Sequence, residues 1–114
     1  MNNQTLTWNE FTKVEMRVGE ILTADFFKEA QNPAYKMTIY FGKEIGILKT
    51  SAQITTHYTP EKLIGKQIIA VVNFPPKQIA NIMSQCLVLG ALGNNKDVIL
   101  LNPERRVENG TKIA

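Results

Sequence analysis

The chain has 114 residues, 44% of them apolar, and carries 13 Lys and Arg against 10 Asp and Glu, for a net charge of +3. That is enough apolar surface for one core and too little chain to divide, so a single domain over residues 1–114 is expected and a disordered chain is excluded. The lone cysteine, Cys86, excludes an intrachain disulfide and a cysteine framework for zinc or an iron-sulfur cluster.

Residues 1–10 hold no basic segment followed by an apolar run, and the longest apolar stretch is Ile68–Val72. Neither a signal peptide nor a membrane span is expected, which points to a cytoplasmic protein without membrane insertion. Thr7-Trp8-Asn9-Glu10 has capping-box spacing and predicts a short helix over Trp8–Lys13. Val14–Phe27 reads as a long first strand whose apolar phase changes near Gly19, from Val14, Met16 and Val18 to Ile21, which predicts a bulge or coil there. After the polar turn 28–33, Tyr35–Phe41 alternates, with Tyr35, Met37, Ile39 and Phe41 inward and Lys36, Thr38 and Tyr40 outward.

Gly42-Lys43-Glu44 predicts a turn into a third strand, Ile45–Thr50. Thr59-Pro60-Glu61 opens a short helix that ends at Gly65. Gln67–Val72 is a fourth strand inside the sheet, because a continuous apolar run leaves no solvent face. Pro75-Pro76 breaks it. Cys86–Leu92 and Val98–Leu101 supply a fifth strand and an extension around the Gly93-Asn94-Asn95 turn. Five strands, a short helix between the third and fourth, and no βαβ rhythm predict an all-β fold: a five-stranded Greek-key barrel of the OB type, with short helices and N- and C-terminal extensions.

Enzyme signatures are missing. Gly65-Lys66 lacks the rest of a phosphate-binding loop, Gly90 and Gly93 do not form a dinucleotide fingerprint, and no nucleophile elbow occurs. His57 has no second ligand at metal spacing, and Cys86 lies in an apolar run that suits a packed thiol. No metal or cofactor is implied. The positive charge is unevenly placed: residues 1–29 carry net −2, 30–103 net +4 and 104–114 net +1, with no acid between Glu61 and Asp97. Lys36 and Tyr40 on one strand face fit either a solvated surface or the basic, aromatic face of an oligonucleotide-binding barrel. Arg17, between Met16 and Val18, is expected to put its guanidinium on the exposed face of the first strand.

Three ordered motifs carry a resemblance: Phe11-x-Lys13-Val14-Glu15-Met16-Arg17-Val18-Gly19-Glu20-Ile21, Pro60-Glu61-x-Leu63-Ile64-Gly65-Lys66, and Val72-Asn73-Phe74-Pro75-Pro76-Lys77-x-Ile79-Ala80. Together they resemble the tRNA-binding-domain family across nearly the whole chain. Ser51–Thr55, Val71–Pro76 and Leu87–Gly90 look nearest to its small, export-related, chaperone-like members. The resemblance implies non-catalytic tRNA binding by an OB-fold homodimer, with extensions 1–13 and 97–114 at the dimer interface. Carried over by position, it places RNA contacts at Arg17, Lys36, Asn73, Lys77, Ser84 and Gln85. It also implies, as an alternative, binding of unfolded or precursor polypeptides in protein export; recruitment of another protein is a further reading. Gln78, Asn81 and Met83 stand where chaperone-like members carry a basic residue, a glycine and a lysine. Phe74, Ile82 and Met83 are therefore candidate peptide contacts, unless Ile82 and Met83 pack beneath the loop.

Overall fold

The computed structural model describes residues 4–114. The capping box forms as expected: Thr7 Oγ1 accepts the Glu10 amide at 3.1 Å, and the Glu10 carboxylate accepts the Thr7 amide at 2.9 Å. It starts helix α1, Trp8–Thr12. Strand β1 follows over Met16–Phe26, then β2 over Tyr35–Tyr40 and β3 over Ile47–Ala52. Between β2 and β3 the expected turn is one helical turn, α2, Gly42–Ile45. That turn consumes Ile45 and moves the third strand two residues along, because Gly46 at φ +80° ends it. Helix α3 spans Pro60–Leu63 and strand β4 spans Gln67–Val71.

The five-stranded sheet runs β3-β2-β1-β4-β7, all pairs antiparallel, with β7 at Leu87–Val88. β1 serves both halves, pairing with β4 over 16–20 and with β2 over 20–26. The curled sheet is a nearly closed barrel of OB type. Closure runs from β3 to the residues entering β7: Gln85 N donates to the Lys49 carbonyl at 2.8 Å, and Thr50 Oγ1 donates to the Cys86 carbonyl at 2.8 Å. Ile21, Ile39, Phe41, Leu63, Ile68 and Ala70 fill the interior with at most 1% of their surface exposed. Leu63 anchors α3 as the barrel's plug, and the Gly65 amide donates to the Ile21 carbonyl at 2.8 Å.

Three expectations change. The pairing irregularity in β1 lies between Ile21 and Thr23, at Leu22, rather than at Gly19. Gly19 instead marks close packing, since a Cβ there would sit 2.5 Å from Phe41 Cε1. The fifth strand is broken at Leu89: β7 stays with β4, while β8 (Gly90–Leu92) leaves to pair with β9 (Val98–Leu100). Gly90 permits the departure, because a Cβ would meet Val98 Cγ1 at 2.3 Å. The loop after the prolines is a hairpin, β5 (Lys77–Ile79) against β6 (Ile82–Ser84).

Residues 110–113 complete the strand order along β1. The Gly110 amide donates to Val18 at 2.7 Å, Val18 donates to Thr111 at 2.9 Å, and Ile113 donates to Met16 at 3.0 Å. They occupy the edge of β1 that β2 leaves free before residue 20. Among the described residues, no helix is long and apolar enough to cross a membrane.

Candidate nucleic-acid interface

The outer face of β1, β2 and β3 is set by register. Lys36 pairs with Ser51 on one side and Asp25 on the other, and Thr38 pairs with Lys49 and Thr23. The Thr23 and Thr38 hydroxyls are 2.7 Å apart, and Lys36 Nζ stands 5.8 Å from the centre of the Phe27 ring. A cleft of about 230 Å³ opens here, lined by Thr23, Asp25, Lys36, Thr38, Lys49 and Ile82. It joins a basic strand face to the hairpin, because β6 lies against β3.

Ser84 and Gln85 meet β3 along its edge, outside the lining of that cleft. The Ser84 hydroxyl is 3.3 Å from that of Thr50, and the Gln85 side-chain carbonyl accepts the Lys49 amide at 2.9 Å. Lys36, Ser84 and Gln85 therefore gather around β3. Lys49 joins them, although sequence reasoning did not single it out. Its alternation in the third strand signals exposure, but its place beside Lys36 depends on a register that no local pattern contains.

The other three residues lie apart. Lys77, opposite Ser84 in the hairpin, lines a second groove of about 720 Å³. Asn73 is exposed, yet both ends of its carboxamide are engaged: Oδ1 accepts the Glu15 amide at 3.0 Å and Nδ2 donates to the Lys13 carbonyl at 2.6 Å. Arg17 does not emerge freely, and only 16% of its side chain is exposed. Its guanidinium donates to the Glu15 carboxylate and, through Nη1, to the Gly110 carbonyl at 3.0 Å, with Glu44 at 3.5 Å. Residues 110–113 cover this part of β1, which is why the expected exposure is lost.

Phe74 and Met83 are exposed, at 56% and 44%. Ile82 is partly buried on the rim of the Lys36 cleft, so the hairpin neither hides the pair nor presents both. The second groove has an apolar lining from Ile54, Ile79, Leu87, Leu89, Leu92 and Val98.

Two further residues behave as their neighbours dictate. His57 Nε2 lies 2.7 Å from Asp97 Oδ2, and this contact holds the Asp97 carboxyl below the usual range. Cys86 is buried, and burial pushes its thiol up to about 11, against a smaller opposing effect of the Thr50 hydroxyl. No group of three or more His, Cys, Asp or Glu among the described residues is arranged to hold a metal ion.

Residues 16–112 match the family model described as "Putative tRNA binding domain". The chain belongs to this tRNA-binding-domain family. Within the family it is similar to the CsaA chaperone of Bacillus anthracis, with 47% identity, a TM-score of 0.92, and coverage of 97% of this chain and all of that one. The CsaA chaperone protein of Picrophilus torridus gives 54% identity and a TM-score of 0.90 over 96% of this chain and all of that one. Methionine–tRNA ligase of Caldanaerobacter subterraneus is 38% identical over 96% of this chain, which spans only 16% of that ligase. As a member of the family with CsaA-like neighbours, the chain is supported in a tRNA-binding or chaperone-like role.

Proposed function

We propose that this tRNA-binding domain is a non-catalytic, cytoplasmic tRNA-binding protein that works as a homodimer and reads RNA backbone and shape. The observation that carries the reading is the meeting of Lys36 and Lys49 in one cleft on the outer face of β2 and β3. Two ammonium groups on adjacent strands suit successive phosphates, while the Thr23 and Thr38 hydroxyls lining the same cleft suit sugars. Duplex RNA offers few readable base edges, so a backbone-reading surface matches it.

A single barrel of this size spans about 4 to 16 nucleotides, and a two-fold pair widens the surface. Trp8 and Ile99, 72% and 48% exposed, are apolar residues in the two extensions proposed to pair. Residues 1–3 of the first extension lie outside the described residues.

The test is a tRNA gel shift across a salt series. With about four phosphate contacts per subunit, affinity falls roughly a hundredfold between 50 and 200 mM salt. Lys36→Ala and Lys49→Ala each weaken binding and lower the salt slope by about one. Arg17→Ala weakens binding with little change in slope, because its charge is already paired. Unchanged affinity and slope in both lysine variants overturn the site.

The second groove favours a second reading, binding of extended apolar polypeptide, and its lining supports it. Suppression of aggregation of an unfolded client, insensitive to salt and uncompeted by tRNA, favours that role. No suppression at equimolar dimer removes it.

A further inference from the structure

We infer that Asp25 reads the ribose 2′-hydroxyl next to a phosphate seated on Lys36 and Lys49, so that the cleft accepts RNA and disfavours DNA. This rests on the RNA-binding reading above and extends it to a residue that neither motif nor charge pattern singled out.

The first observation is an acid inside a basic cleft. Asp25 is the register partner of Lys36, and the two sit side by side on the outer face. They do not pair. Lys36 Nζ goes to the face of Phe27, and among the described residues the Asp25 carboxylate has neither a hydrogen bond nor an ion pair. The Lys49 ammonium is likewise unpaired among the described residues. Opposite charges therefore share one cleft of about 230 Å³ without a direct ion pair among the described residues. Such a site is complementary to a ligand that is anionic at one point and a hydrogen-bond donor at the next.

The second observation is the bulge that puts Asp25 there. Up to Ile21 the register opposes Ile39, and after the extra residue Leu22 it resumes with Thr23 against Thr38 and Asp25 against Lys36. Continued without the bulge, the ladder would set Asp25 against Tyr35 and turn it to the buried face. The irregularity re-aims one carboxylate and one hydroxyl onto the outer surface.

Ligand chemistry follows from the donor inventory. An ionised carboxylate only accepts hydrogen bonds. A nucleic-acid backbone is anionic throughout, and in RNA each ribose adds a 2′-hydroxyl donor close to its phosphate; DNA has no such donor. Asp25 therefore gains a bond from RNA and meets only repulsion from DNA, which makes discrimination partly a matter of penalising the wrong ligand.

The experiment uses the full chain and one synthetic hairpin made as RNA, as 2′-O-methyl RNA and as DNA. The methyl ether keeps the A-form stem and removes the donor, separating the hydroxyl from helix shape. The native chain binds RNA about tenfold tighter than the 2′-O-methyl form, the size of one charge-assisted hydrogen bond in a partly wet site. Asp25→Ala abolishes that ratio, and Asp25→Asn, which keeps an oxygen acceptor without charge, retains part of it. If the native chain does not distinguish the two A-form hairpins, or if Asp25→Ala tightens all three ligands with the ratio intact, the inference is overturned. RNA binding unaffected by Lys36→Ala and Lys49→Ala overturns the face itself, and no RNA binding by the native chain removes both readings.

Discussion

Asn73 treats Glu15 as a neighbouring strand would: its side-chain carbonyl takes the Glu15 amide while its NH2 group supplies the Lys13 carbonyl. One carboxamide thus replaces a stretch of ladder where α1 turns into β1. The carry-over from the family pattern made this residue a candidate RNA contact; the chain uses one N–H and one acceptor site of its exposed carboxamide.

Asn73→Ala should therefore release α1 from the barrel. Because the site is exposed, the cost is near 1 kcal/mol, that of one ordinary hydrogen-bonded group. Hydrogen exchange at the Glu15 amide checks it, with faster exchange expected there and little change at Ile39. Asn73→Asp keeps the acceptor but presents a carboxylate to the Lys13 carbonyl, so it is expected to be no better than Ala.

A second carboxamide makes the same kind of closure at the opposite edge. Gln85 bonds Lys49 twice, through its backbone amide and through its side-chain carbonyl. Gln85→Ala removes the second bond and frees the Lys49 amide to exchange. The expected loss is about 1 kcal/mol of stability. RNA affinity should fall in proportion to the motion of Lys49, and a double variant with Lys49→Ala should show a coupled, non-additive loss.

Gly19→Ala tests packing. Its Cβ would lie 2.5 Å from Phe41 Cε1 and 2.7 Å from Ile39 Cγ2, both on fully buried side chains. Overpacking of this kind costs about 1 to 3 kcal/mol. Thermal unfolding should show it as a lower Tm, and Phe41→Leu in the same chain should recover part of the loss.

Cys86 provides the pH test. Its thiol ionises near 9.0 in an unfolded chain and near 11 in the fold, so both states are protonated below pH 9 and the barrel gains nothing there from this group. Above pH 9 the unfolded chain ionises first, and stability falls as pH rises toward 11, by about 2 to 3 kcal/mol in all. Urea unfolding of wild type and Cys86→Ala at pH 8 and pH 10.5 should show the steeper loss in wild type. At pH 8 the native thiol should resist a disulfide reagent until urea unfolds the chain.

Local signals carried well from sequence to structure. The Thr7–Glu10 box, the alternation of Tyr35–Tyr40 and the apolar run in β4 each depend on neighbours a few residues apart. The bulge was misplaced because Gly19 and Leu22 both disturb the phase of β1, and only pairing with β2 shows which one is extra. The β5–β6 hairpin escaped notice because Lys77-Gln78 and Met83-Ser84 lack a β-branched alternation. Arg17 was misjudged for a longer-range reason: the carbonyl it binds belongs to Gly110, 93 residues away. The gathering of Lys36, Lys49 and Asp25 is likewise a product of register rather than of any motif.

The pairing of residues 110–113 with β1 also has a bearing on self-association. Remove those four residues and Met16 and Val18 present unpaired peptide groups along an exposed strand edge. An open edge of that kind templates further strands, including those of identical chains. A chain cut before Gly110 is thus poised to add copies of itself edge to edge, and the few hydrogen bonds that hold this segment act as a stopper against fibrillar growth.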